Sequence, residues 1–336
     1  MKDRLSRLAI LSITIVLVFT SLTGCAQTSS QQRIVCLAPS CVEVIYALGL
    51  EDEIVGWSQY TDYPPEVTEV KGWVPYQDYQ FTSIEDELSK DVAVVSGFTD
   101  YNKELVKALE PTLIIATESL QYDMAEELKA EGYNVLYHNP TTLDEVFQMI
   151  LEIGDATGTG TKAQKLVDGY NKQIEEVRAI TKDLPKIKVY LEISHYGPWA
   201  TGSGSPMDDV IEIAGGTNIF EDVQETAFET TNAEIVKRNP DVILTPLWPD
   251  AGVDEVTTVR EIVMREGYET IEAVQNDRVY HYDSSLFKRP GPRQVTAILK
   301  MAYLLHPYYF DNPENSVSPW ELGKIDDVYD PPAPLD

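Results

Sequence analysis

Basic residues are scarce. Lys and Arg number 26 against 55 Asp and Glu, a formal net charge of −29. A nucleic-acid partner would need a positive face against the phosphate backbone, so this balance argues against one. The same deficit disfavours adsorption to anionic lipid headgroups. Cysteine is rarer still, three in 336 residues. That is too few for a disulfide framework, and a chain this long buries enough apolar surface to need no staples. The four histidines, His138, His195, His281 and His306, are scattered and lack the two-turn spacing of a metal site. No G-x-S-x-G elbow occurs, and Gly158-Thr-Gly-Thr-Lys162 lacks full P-loop spacing. An extracellular enzyme is therefore the weaker reading, although Ser194-His195 and the Gly202-Ser203-Gly204-Ser205 loop invite it.

What is present begins with an address. Lys2, Arg4 and Arg7 precede the apolar run Leu8–Phe19, which ends in Leu22-Thr23-Gly24-Cys25. The run is shorter than the ~20 residues a membrane-crossing helix needs, and the order of regions is that of a secretory signal. The last four residues resemble a bacterial lipobox, in which the cysteine becomes the lipidated first residue. Removing residues 1–24 takes away three basic residues and one acid, leaving 23 against 54 and a net charge of −31. Acyl chains on Cys25 would hold the chain on the outer face of a cell membrane, or in a periplasm, without a transmembrane helix. Residues 25–32 form a polar tether. Cys36 and Cys41 remain, and two buried thiols are favoured over a local pair.

From Arg33 onward, strands alternate with helices. Short apolar runs at 33–37, 54–57, 92–95, 113–116 and 135–137 are separated by helical stretches. The pattern restarts after Pro185 with runs at 189–193, 242–245 and 279–282. Between the two sets, 161–183 is one long charged helix of about 35 Å. Such alternation implies βαβ units and mainly parallel sheets. The expectation is α/β: two Rossmann-like lobes, 33–158 and 185–311, joined by a connecting helix over 159–184. An acidic, Pro-rich tail, 312–336, follows. Ala108-Leu-Glu-Pro-Thr-Leu-Ile-Ile115 echoes Lys237-Arg-Asn-Pro-Asp-Val-Ile-Leu244, and both read as helix end, Pro stop and buried strand. A cleft between two lobes is a natural small-molecule site.

The segments Arg33-Ile-Val-Cys-Leu-Ala-Pro-Ser40, Ala47-Leu-Gly-Leu50 and Tyr60-Thr-Asp-Tyr-Pro-Pro65 occur in the first lobe. Trp199-Ala-Thr-Gly-Ser-Gly-Ser205, Ala214-Gly-Gly-Thr-Asn-Ile219 and Arg289-Pro-Gly-Pro-Arg293 occur in the second. In order and spacing they resemble the helical-backbone (class III) substrate-binding proteins of ABC importers, the group that handles cobalamin and ferric siderophores. The cobalamin-binding branch fits best. The resemblance implies a monomeric receptor without a cofactor of its own. It would deliver ligand to a permease dimer driven by a cytoplasmic ATPase. It also implies two docking glutamates, one per lobe, matched by Glu43 and Glu234. Ser40-x-x-Glu43 and Thr231-x-x-Glu234 are equally capping boxes, a role that needs no permease.

The candidate ligand contacts are Tyr60, Trp73 and Tyr76 in the first lobe, with Trp199, Phe228, Trp248, Asp283, Phe287 and Arg289 in the second. Aromatic walls suit the faces of a corrin ring, and polar groups suit its amide-bearing rim. Anionic siderophores usually call for a basic clamp, and Lys288, Arg289 and Arg293 are the only basic cluster near the inferred cleft. A ferric siderophore, or haem with a tyrosine axial ligand, stays open beside a corrinoid.

Overall fold

A computed structural model describes residues 32–194, 197–247 and 259–310. The signal segment, Cys25, the tether up to residue 31, Trp248 and the tail lie outside the described residues. The first lobe runs β1 (Ile34–Cys36), α1 (Pro39–Ala47), β2 (Ile54–Ser58), α2 (Ile84–Leu88), β3 (Ala93–Ser96), α3 (Lys103–Ala108), β4 (Leu113–Thr117), α4 (Tyr122–Ala130), β5 (Val135–His138) and α5 (Leu143–Ala156). Helix α6 (Gly160–Thr181) crosses to the second lobe. There follow β6 (Ile187–Leu191), β7 (Trp199–Ala200), α7 (Pro206–Ile213), β8 (Gly216–Asn218), β9 (Phe228–Glu229), α8 (Asn232–Arg238) and β10 (Val242–Leu247). The chain closes with α9 (Val259–Val263), α10 (Glu272–Gln275), β11 (Val279–Asp283), α11 (Ser284–Lys288), α12 (Gln294–Leu305) and α13 (Pro307–Phe310).

The first lobe is a five-stranded sheet, β3-β2-β1-β4-β5, in which every pairing is parallel. Its middle strands, Ile34-Val-Cys36 and Leu113-Ile-Ile-Ala-Thr117, are buried throughout, as strands covered by helices on both faces must be. The second lobe is a parallel sheet of order β11-β10-β6-β8, with a two-stranded β7-β9 ribbon beside it. Read as β8-β6-β10-β11, its order repeats β2-β1-β4-β5. The sequence echo falls on equivalent elements, α3–Pro111–β4 and α8–Pro240–β10. It extends to the backbone: Glu110 (φ 46°) and Asn239 (φ 48°), the residues before the two prolines, both adopt the sparsely used left-handed region.

Helix α6 buries Ala163, Val167, Ile174, Val177 and Thr181, a single stripe at helical spacing. Against it lies one apolar cluster running through α1, α5, α6, α7 and α12, and so through both lobes. Separate clusters fill the outer faces of the two sheets. Two details differ from the sequence expectation. The sequence reads Pro39-Ser40 as a stop followed by a helix over 42–48, but α1 starts at Pro39, because proline fits the first helical turn, where its missing N–H costs nothing. Ser40 is consequently inside the helix and caps nothing; its hydroxyl is 2.8 Å from that of Thr117. Cys36 and Cys41 are unpaired buried thiols, and burial pushes Cys41 up to about 12.

Candidate ligand cleft and the interlobe contacts

In open parallel sheets, ligands collect beyond the carboxyl ends of strands where the strand order reverses. In the first lobe that point lies between β1 and β4. The Ser40–Thr117 hydrogen bond spans it, and Gln121 fastens both strand ends, donating to Leu37 O at 2.8 Å and accepting from Thr117 N at 3.0 Å. Beyond the neighbouring strands stands an aromatic wall. Tyr60, two residues past β2, lies 5.1 Å from Tyr76 and 6.2 Å, edge-on, from Phe98, two residues past β3. Trp73 is half-buried: its indole donates to Thr61 O at 2.8 Å, and its ring packs on the shared core.

The second-lobe candidates divide. Trp199 is 36 % exposed and sits at the carboxyl end of β6, where its carbonyl accepts from Ile193 N at 3.1 Å. Its ribbon pairs Trp199 with Glu229 and Ala200 with Phe228, so Trp199 and Phe228 face opposite ways. Phe228 turns inward, 5.3 Å from Phe220 in an edge contact. Phe287, 5 % exposed, packs edge-on against Tyr282 in the core. Asp283 caps α11, accepting from Leu286 N at 3.1 Å and Ser285 Oγ at 2.8 Å. Below them, the fully buried Glu192 takes a bidentate bond from Arg265 and a third bond from Tyr190. That cluster holds the end of β6. The structure thus brings Tyr60 and Tyr76 together and leaves Trp199 exposed, while Phe228, Asp283 and Phe287 serve packing and capping.

Arg289 and Arg293 reach across to the first lobe. Arg289 forms a bidentate pair with Asp62, with Nη2 at 3.1 Å from Oδ2, and donates to Tyr60 O at 3.2 Å. Arg293 grips Glu43 through Nε at 2.9 Å and Nη2 at 2.6 Å, and the Tyr63 ring covers its guanidinium at 4.0 Å. Glu43 is 3 % exposed, with Arg289 also 3.6 Å away. In this structure the Glu43 carboxylate is enclosed and doubly bonded, and it acts as a strut between the lobes. Arg289, through Asp62 and the Tyr60 carbonyl, anchors its loop to the first lobe. Glu234 remains on the surface side of α8, with Thr231 Oγ1 capping its amide at 3.2 Å and Arg238 bonded to its carboxylate at 2.9 Å.

One charged group went unread in the sequence. Glu118 follows β4 with φ 72° and ψ 153°, a combination costly for any residue with a Cβ. Burial lifts its carboxyl to about 7, against the pull of Lys288 and Arg289 in the other lobe. Burial also lowers Lys288 to about 8, with Glu118 opposing, and Lys288 Nζ donates to Ile193 O at 3.1 Å. Only its place, directly after a buried central strand, marked Glu118 in the sequence. On the flank, α1, α6 and α12 border a groove of about 890 Å³ that includes Tyr46, Tyr63, Tyr170 and Arg293, so the lobes are not sealed together. Among the described residues no cluster of His, Cys, Asp and Glu is arranged to hold a metal ion.

These features are those of a two-lobed, helix-bridged receptor. The periplasmic binding protein family matches residues 34–286, and the chain belongs to that family. The ABC transporter substrate-binding lipoprotein YvrC of Bacillus subtilis, itself uncharacterized, is 30% identical over 288 residues, covering 83% of this chain and 81% of its own. The vitamin B12-binding protein of Vibrio cholerae is 24% identical over 269 residues, covering 80% of this chain and 86% of its own. Its crystal structure superposes with a TM-score of 0.65 over 82% of this chain and 96% of that one. The haem-binding protein RhuT of Roseiflexus superposes at 0.67 with 20% identity, over 82% of this chain and 98% of that one. The chain is a substrate-binding protein of the ABC-importer type.

Proposed function

We propose that this protein is the lipid-anchored receptor of an importer for cobalamin or a related corrinoid. The observation that carries this reading is the fate of the basic cluster beside the cleft. Arg289 and Arg293 are neutralised by Asp62 and Glu43, and Lys288 faces Glu118. Among the described residues each member of that cluster thus has an acidic neighbour, an arrangement that suits a corrinoid, close to neutral, better than a strongly anionic ferric chelate. The wall of Tyr60, Tyr76 and Phe98 in the first lobe, and the exposed Trp199 in the second, offer broad apolar faces to a ring. The vitamin B12-binding relative points the same way. The chain binds and hands over; it makes and breaks no bonds.

Delivery requires docking groups on both lobes. Glu234 serves in the second. In the first, the internal repeat puts α3 where α8 stands, and Glu104 is exposed in its first turn behind the Asn102 cap. Carboxylates so placed take charge-assisted bonds from permease arginines. Acylated Cys25 would hold the receptor near that permease, and Cys25→Ser should release it from membranes into the medium or periplasm.

The reading is tested by calorimetric titration of the anchor-free protein with cobalamin, cobinamide, haem and a ferric catecholate. Cobalamin should bind saturably and the catecholate should not. The reverse order, or preference for haem, would overturn the corrinoid assignment.

A further inference from the structure

Glu118 combines three features that packing does not explain. Its backbone stands at φ 72° and ψ 153°, a region that glycine occupies easily and glutamate does not. Yet the local fold insists on it: its amide donates to His138 O at 2.9 Å, and its carbonyl accepts from Gln121 N at 3.1 Å and from the Tyr137 hydroxyl at 3.3 Å. Its carboxylate accepts no hydrogen bond among the described residues, whereas Glu43, Asp62 and Glu192 are all bidentately paired. And it stands at the strand-order reversal of the first lobe, beside the Ser40–Thr117 bond, looking toward Lys288 and Arg289 of the second.

We infer that the Glu118 carboxylate is a specificity-determining acceptor in the cleft, bonding amide N–H groups on the rim of the captured ligand. The inference deepens the corrinoid reading and rests on it, since a corrin ring carries such amides around its edge. A glutamate is kept in a glycine conformation because the side chain, and not the turn, is required there. The groups that face it are Lys288 from the end of α11 and Arg289 just after it, the Tyr137 hydroxyl and the His138 carbonyl from β5, and Cys41 from α1. Of these only Lys288, at about 8, titrates near neutrality.

Amide donors favour the ionised carboxylate. Ligand binding therefore pulls a proton off Glu118, and affinity should rise with pH through its free value of about 7, roughly tenfold between pH 6 and 8. An anionic ligand would do the opposite: it would claim Lys288, leave Glu118 protonated and bind more tightly as pH falls.

The experiment is titration of cobalamin into wild type, Glu118→Gln, Glu118→Gly and Tyr60→Ala at pH 6, 7 and 8, with melting temperatures taken alongside. Wild type should show the rising affinity and Glu118→Gln should be flat. Glu118→Gly should melt higher, its turn relieved, and bind more weakly at pH 8; a purely structural Glu118 would not separate those two readouts in that direction. A wild-type slope retained in Glu118→Gln, or affinity that increases toward pH 6, would overturn the inference. Loss of binding in Tyr60→Ala with no change in either Glu118 variant would overturn it alone and leave the corrinoid reading intact. No cobalamin binding by wild type would overturn both.

Discussion

Glu43 is an acid in an acidic protein, and only its surroundings give it a role. Enclosed by α1, Arg293 and the Tyr63 ring, it is a charge that must stay paired. Glu43→Ala leaves the Arg293 guanidinium buried without its counter-ion and should cost about 3–5 kcal/mol, read as a clear fall in melting temperature. An exposed docking acid would cost almost nothing, so calorimetric denaturation separates the two roles. Glu118 predicts a pH effect on stability. Its folded pKa, about 7, lies above the usual 4.5, so folding disfavours the ionised form. Stability from this group is therefore greatest at low pH and is lost as pH rises from about 4.5 through 7. Glu118→Gln should remove that loss, so its stability advantage over wild type should grow between pH 5 and pH 8 in paired thermal melts.

At the scale of elements, the internal repeat governs. Helices α3 and α8 both start on a capping side chain, Asn102 or Thr231, which accepts from the amide three residues on at 3.0 Å and 3.2 Å. Both end before a proline and feed a central strand. Thr231→Ala should destabilise by about 1 kcal/mol, and the cap is independent of docking. Glu104→Ala with Glu234→Ala should instead leave cobalamin affinity near wild type while transport falls; a parallel fall in affinity would contradict docking. The alternation of helix and strand was legible because buried parallel strands are short apolar runs and helices show a 3.6-residue period. Helix α6 was legible for the same reason, its ends within two residues of the expected 161–183. The start of α1 was not, because proline stops a strand and opens a helix equally well. The capping pattern at Ser40 misled because three-residue spacing says nothing about which residue is the cap.

For the whole molecule, one apolar cluster passes through both lobes and the connecting helix, and two bidentate ion pairs cross the seam. Lobes joined in this way have little freedom to hinge. Small-angle scattering should give the same radius of gyration with and without ligand, and Arg289→Gln with Arg293→Gln should make the two states distinguishable. A large ligand-induced contraction of the wild type would show that the seam yields.

The amino-acid sequence by itself determined the two α/β lobes, the rod between them and the aromatic stretch around Tyr60, because each follows from local periodicity and composition. Only the tertiary structure decided what the charges do. Arg293 and Glu43 are separated by 250 positions, and nothing local links them. Whether an acid faces water, a partner or an arginine is set by which surfaces the fold presses together. The sequence pattern could count 55 acids; packing alone joined Glu43 to Arg293 and set Glu118, whose carboxylate accepts no hydrogen bond among the described residues, near Lys288 and Arg289.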